Sequence, residues 1–216
     1  MSQTASVNTG KGGLLIIFGG FIMIIWINGA FGAGKTQTAY ELHRRLADSF
    51  VYDPENVGYF IRKNIPKSLS MGDFQDYPMW RSFNRDMLNY ITANYMGDII
   101  VPMTITNRVY YDEIIGVLSR TYKVRHIILY ASKEELLKRL ASRLESRNSW
   151  AVQQIDRCIK AFDEDITEVK IYTDNKDICQ IVETISELVE VSLLSDKRSN
   201  LRKKLDRFVI QCKHIR

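Results

Sequence analysis

Cysteine, histidine and proline are all scarce in this chain of 216 residues. The three cysteines, Cys158, Cys179 and Cys212, are odd in number, and no two stand at metal-ligand spacing, so a reduced cytosolic compartment is expected. The three histidines are equally scattered and suggest no zinc site. Four prolines, 45% apolar residues and 25% charged residues exclude a disordered chain and suit one α/β domain with a short appendage. Internal repeats and low-complexity stretches are absent. So is the Asn-Lys-x-Asp motif that reads guanine, and no motif supports nucleic acid as a partner.

Charge of one sign is lacking everywhere but the end. Eight of the 30 lysines and arginines lie in Lys197 to Arg216, against one of the 25 acids, Asp206, so the net +5 belongs to the tail and the remainder is slightly acidic.

One long apolar run stands near the start, Gly12 to Ile27 (GGLLIIFGGFIMIIWI). As a helix it would rise about 24 Å, short of a hydrocarbon core of about 30 Å. It also runs straight into a glycine-rich loop that needs a buried strand ahead of it. Gly19-Gly20-Phe21-Ile22-Met23 can be encoded with a GGAGG ribosome-binding sequence shortly before the Met23 codon. Translation from Met23 is therefore expected, with residues 1–22 an untranslated leader read as protein. The alternative is an anchoring extension.

From Met23 onward, strands and helices alternate, which predicts a parallel α/β sheet, and the G-x-x-x-x-G-K-[ST] loop at Gly29 to Thr36 makes this a single-domain P-loop kinase-like fold. Its parallel sheet has five strands in the order 2-3-1-4-5, with helices on both faces and an amphipathic C-terminal helix. The expected division is a leader at 1–22, the domain at 23–195 and the basic helix at 196–216. Predicted strands are Met23–Asn28, Phe50–Tyr52, Asp98–Met103, Val124–Ala131 and Val169–Tyr172. Predicted helices cover Lys35–Leu46, Pro78–Tyr95, Asn107–Arg120, the segment capped by Ser132 and Glu135, and Asp177–Val191. In the first helix Ala39, Leu42 and Leu46 should face inward, and Glu41, Arg44 and Arg45 outward.

Gly29-Ala30-Phe31-Gly32-Ala33-Gly34-Lys35-Thr36 fits G-x-x-x-x-G-K-[ST] in full, between an apolar strand and a helix. Its glycines let successive N–H groups turn towards phosphates, Lys35 can reach the β- and γ-phosphates, and Thr36 can hold Mg²⁺. The loop names the ligand class without naming the reaction. The third predicted strand ends in Pro102-Met103-Thr104, without the acid of a usual Walker B site. The length suits a compact small-molecule kinase using ATP.

Asp53, closing the second strand, is the candidate general base, or else a turn former before Pro54. Arg139, Arg143 and Arg147 recur at helical spacing and form either a lid that steadies a transferring phosphoryl group or a solvated face. Arg139 and Arg143 are the favoured pair. Thr173-Asp174-Asn175 reads as an adenine-edge loop or a plain helix cap. Arg62, Tyr77, Trp80, Arg81 and Phe83 occupy the expected acceptor segment, where core packing competes for each. In the tail, Leu201, Leu205, Phe208, Val209 and Cys212 share one helical face. Either an anionic membrane surface or the domain itself could cover it.

The stretches MIIWINGAFGAGKTQTAYELHRRL, VYDPENVG, DFQDYPMWRSFN, IIVPMTI, ASKEELLKRL, NSWAVQQIDRC and KHIR resemble the tunicamycin-resistance protein family of bacteria. The likeness covers nearly everything from Met23, where chains of that family also begin. It implies an ATP-binding protein that protects against tunicamycin, a lipid-tailed nucleoside antibiotic. It also implies peripheral attachment to the cytoplasmic membrane through the helix at Arg198 to Lys213, and an acid at the position of Asp53 acting as base. Two mechanisms follow from it, phosphorylation of the drug and ATP-dependent capture without modification.

Overall fold

The computed structural model describes residues 22–143, 146 and 148–214. Residues 1–21 of the expected leader lie outside the described residues, as do Arg147 of the basic stripe and Ile215 and Arg216 of the tail.

Strand β1 (Met23–Gly29) is buried along its whole length. Its unbroken apolar sequence, without alternation, is what a strand covered on both faces requires. It runs parallel between β3 (Asp98–Pro102) and β4 (Lys123–Tyr130), with Ile25 opposite both Ile100 and Arg125. Strands β2 (Ser49–Val51) and β5 (Val169–Tyr172) complete the edges, giving the expected order β2-β3-β1-β4-β5. Parallel pairing sends every strand's C-terminal end to one edge of the sheet, where ligands bind in open α/β folds.

Helices α1 (Lys35–Arg45), α3 (Pro78–Asn94) and α8 (Ile178–Val189) lie where the periodicity predicts them. Asp177 and Gln180 close a reciprocal capping box at the start of α8. Sequence reading did not foresee α2 (Glu55–Asn64), α6 (Trp150–Gln153) or α7 (Ile155–Glu164). The predicted helix at Asn107–Arg120 is not uniform. Asn107 caps α4 (Arg108–Tyr111), and the next residues, Asp112–Gly116, widen into a π-helical turn.

Two expectations need correction. Helix α5 (Lys133–Ala141) stops before the basic stripe is complete, so Arg139 is helical while Arg143 sits in the turn beyond, its N–H bonded to Leu140 O at 3.0 Å. Glu41, expected to face solvent, is only 3% exposed. The terminal helix α9 (Asn200–His214) packs along α1, and Arg198 just ahead of it clasps Glu41 while also binding Asp196 and Asp206, each at 2.8–2.9 Å. These carboxylates, Asp196 foremost, hold the guanidinium far above its ordinary range.

Helix α9 docks by the face that the pattern marks as polar. Lys203, Asp206, Arg207, Ile210 and His214 turn inward, and Ile210 is the buried member. The predicted apolar stripe faces away from the domain, with Leu201 79% and Phe208 63% exposed. The reading in which that stripe packs on the domain is overturned: α1 offers Gln37, Tyr40 and Glu41 here, partners for polar groups and not for leucines.

Candidate functional site

The phosphate loop is fixed where β1 ends. Asn28 is fully buried, and its side chain makes four hydrogen bonds. The amide reaches Ile105 O at 2.8 Å and His126 Nε2 at 3.0 Å, while Oδ1 takes the N–H groups of Gly29 at 2.8 Å and Ile105 at 2.9 Å. Burial pulls His126 down to about 3, so the ring is neutral and its Nε2 accepts the amide. Thr104 Oγ1 donates to Gly29 O at 2.8 Å, and Trp26 Nε1 donates to Met103 O at 3.1 Å. The chain leaving β3 thereby grips the first residue of the loop.

Gly29 admits no side chain, because a Cβ there would lie 2.6 Å from Leu129 O and its φ is +147°. Gly34, at φ 95°, turns the loop into α1, whose N-terminus has no side-chain cap and no acid in its first turn. The first N–H groups of a helix lack intrahelical partners, so this end suits an anion. Lys35 Nζ lies 3.0 Å from Gly29 O and 3.1 Å from Ala30 O, and 5.3 Å from the Phe31 ring centre. Burial lowers Lys35 to about 8, with Glu55 opposing the shift. An uncapped helix start, a lysine folded over the loop and Thr36 beside it fit a nucleotide phosphate with its divalent cation.

This loop forms one wall of a cavity of about 430 Å³. Opposite stand Glu55 and Tyr59 of α2, Arg62, Phe74, and from the lid side Arg143 and Trp150. Trp150 meets Phe31 edge-on at 4.9 Å. Arg62 donates to Gly72 O at 2.8 Å and lies over the Phe74 ring at 5.3 Å.

Of the two predicted lid arginines, Arg143 reaches this cavity. Arg139 instead ties α5 to the loop after β5, binding Glu135 at 2.8 Å and Thr173 Oγ1 and O at 3.0 and 2.8 Å. Asp174 of that loop accepts from Ser132 N at 3.0 Å, so the stretch serves as a strut between α5 and β5. Asp53 lines a neighbouring apolar cavity of about 370 Å³, with Phe50, Phe60 and Phe83, and its Oδ1 accepts the Glu55 N–H at 3.0 Å. Trp80 and Tyr77 belong to the core, and Arg81 is occupied by Glu113 and Gln75 O. Sequence reasoning missed Glu55. Asp53-Pro54-Glu55-Asn56 signals a helix start, with Pro54 at the cap and Glu55 in the first turn, but not which acid lines the cavity.

A family model described as an AAA domain matches residues 24–164. The structure of a tunicamycin resistance protein from Deinococcus radiodurans is 33% identical to this chain, over 81% of it and 99% of that chain, with a TM-score of 0.70. Shikimate kinase from Bacteroides thetaiotaomicron is 19% identical over 80% of this chain and 100% of its own, at a TM-score of 0.54. A gluconokinase from Sinorhizobium meliloti 1021 is 15% identical over 79% and 95%, also at 0.54. Those two share the fold alone. No curated protein matches the sequence.

Proposed function

This chain belongs to the tunicamycin resistance protein family, with an AAA-type P-loop domain, and from that membership we propose that it phosphorylates tunicamycin or a similar small molecule at the expense of ATP. The observation that carries the reading is a single cavity with the phosphate loop on one wall and, facing Lys35, a carboxylate and an arginine. MgATP supplies the phosphoryl group, and its cation offsets part of the phosphate charge. The N–H groups of Gly34, Lys35 and Thr36 would bind phosphate oxygens, and the Thr36 hydroxyl would hold the cation. Lys35 exchanges the Gly29 and Ala30 carbonyls for the β- and γ-phosphates. Glu55 takes the proton of the acceptor hydroxyl, with Asp53 holding the start of α2 so that Glu55 points inward. Arg143 balances charge on the transferring group. Trp150, Phe31, Tyr59 and Phe74 offer flat apolar surfaces to a ring on the acceptor.

The end of β3 favours a second reading. Pro102, Met103 and Thr104 supply no acid to hold the cation from that side, which suits ATP-dependent capture of the drug without transfer. Mass spectrometry of tunicamycin after incubation with MgATP and the protein separates the two. A gain of one phosphate, absent with Lys35→Ala, supports the kinase. Unchanged drug that co-purifies with the protein supports capture.

Attachment to the membrane is the other part of the proposal. Among the described residues no helix is long and apolar enough to cross a membrane. The outward stripe of α9, bordered by Arg202, Lys204 and Lys213, instead suits the headgroup layer of an anionic bilayer at the cytoplasmic face.

A further inference from the structure

Helix α9 ends at the nucleotide cavity. His214, its last described residue, is part of that cavity's wall together with Lys35 and Thr36. The imidazole stacks at a tilt on Tyr40, ring centres 5.0 Å apart, and His214 Nε2 lies 3.1 Å from the Tyr40 hydroxyl. Tyr40 and Thr36 are four residues apart on α1 and so share a face, which places the imidazole one helical turn from the hydroxyl meant for the cation.

Two further contacts fix the same arrangement. Gln37, next to Thr36, donates from Nε2 to Arg207 O at 2.8 Å. Farther along α1, buried Glu41 receives Arg198, whose guanidinium also binds Asp206 of α9 at 2.8 Å. Helix α9 is thus held along α1, the helix that starts at the phosphate loop. Its register there is set by polar groups of defined geometry, not by an apolar seam that could slide.

We propose that the C-terminal helix is part of the nucleotide site: His214 contacts the bound nucleotide, and docking of α9 on α1 is coupled to nucleotide affinity. This rests on reading the cavity as the nucleotide site. His214 gives the phosphates or their hydrated cation a polar group from the α9 side of the cavity. Coupling is reciprocal: if docked α9 tightens nucleotide binding, bound nucleotide must tighten the docking of α9 by the same factor.

The test uses the full chain and two readings. Backbone amide exchange is followed with and without saturating MgATP, and affinity is measured with a fluorescent ATP analogue and Mg²⁺. Slower exchange across Asn200–His214 in MgATP is expected, together with a loss of affinity of about tenfold in His214→Ala. Arg198→Ala, altered well away from the cavity, should weaken the analogue by about fivefold through loss of docking alone. A merely structural helix would lower the melting temperature of these variants and leave the affinity of the folded protein unchanged. Either that unchanged affinity, or exchange across α9 indifferent to MgATP in the unaltered chain, overturns the proposal. An unaltered chain that binds no nucleotide counts against the nucleotide reading itself, and this inference falls with it.

Discussion

The side chain of Asn28 pairs with the backbone of Ile105 as a neighbouring strand would, giving its amide to the carbonyl at 2.8 Å and taking the N–H at 2.9 Å. With His126 and Gly29 also bound, nothing about this residue is replaceable by an apolar group of similar size. Asn28→Ala leaves several buried polar groups unmatched and should cost about 2–4 kcal/mol of stability. Urea unfolding checks this, and nucleotide affinity should fall as well, because the loop loses its footing.

The two acids at the start of α2 should separate cleanly. Glu55→Gln removes the proton acceptor while keeping its shape, so transfer should drop about 10²–10⁴-fold with little change in nucleotide affinity. Asp53→Asn keeps an oxygen for the Glu55 N–H and should lose less than about tenfold. Steady-state rates with tunicamycin and MgATP decide it. The reverse ranking would restore Asp53 to the role first read for it.

Lys35 gives two pH effects of opposite sign. Its value in the folded protein is about 8, below the ordinary 10.5. Charged lysine is needed for phosphate, so nucleotide affinity should fall as pH rises through about 8. Between about 8 and 10.5 the unfolded chain binds more protons than the folded one, so this residue's contribution to nucleotide-free stability should rise with pH across that window. Lys35→Met should flatten both trends, and titration of affinity and of melting temperature tests each.

The arginines of the lid side should differ in kind. Arg143→Ala, at the cavity, should lower turnover about 10²–10³-fold. Arg139→Ala, which cuts the strut to Thr173, should cost about 1–2 kcal/mol of stability and affect turnover indirectly. Kinetics and thermal unfolding together distinguish them.

The exposed face of α9 offers a prediction free of folding effects. Phe208→Glu places a charge on a side chain that touches little of the domain, so stability should move by less than about 0.5 kcal/mol. Co-sedimentation with vesicles of phosphatidylglycerol and phosphatidylethanolamine should nevertheless be lost.

Much of this was legible in the sequence because it is local. Short apolar runs bounded by Gly, Asp and Pro give the strands, their alternation with helices gives a parallel sheet, and the phosphate loop supplies the strand order through the fold it belongs to. The phosphate loop carries its own signature. What stayed hidden depends on phase or on distant partners. Asp53 lies ahead of α2 and Glu55 opens it, so which acid meets the phosphate loop depends on how the chain enters that helix. Glu41 looks like a surface residue by the periodicity of α1, since its partner Arg198 comes from the other end of the chain. Amphipathicity shows that α9 has two faces but not which face meets the protein.

The place of β1 at the centre of a parallel sheet has a consequence for synthesis. Met23 must pair with Lys123 and Gly29 with Leu129, so the most apolar strand leaves the ribosome long before its second neighbour exists. Parallel strands cannot close locally, and contacts of such sequence separation form slowly. The nascent chain therefore carries an open, sticky strand until Lys123–Tyr130 has been made, and cellular yield should depend on chaperones that bind short apolar segments more than on the final stability of the fold.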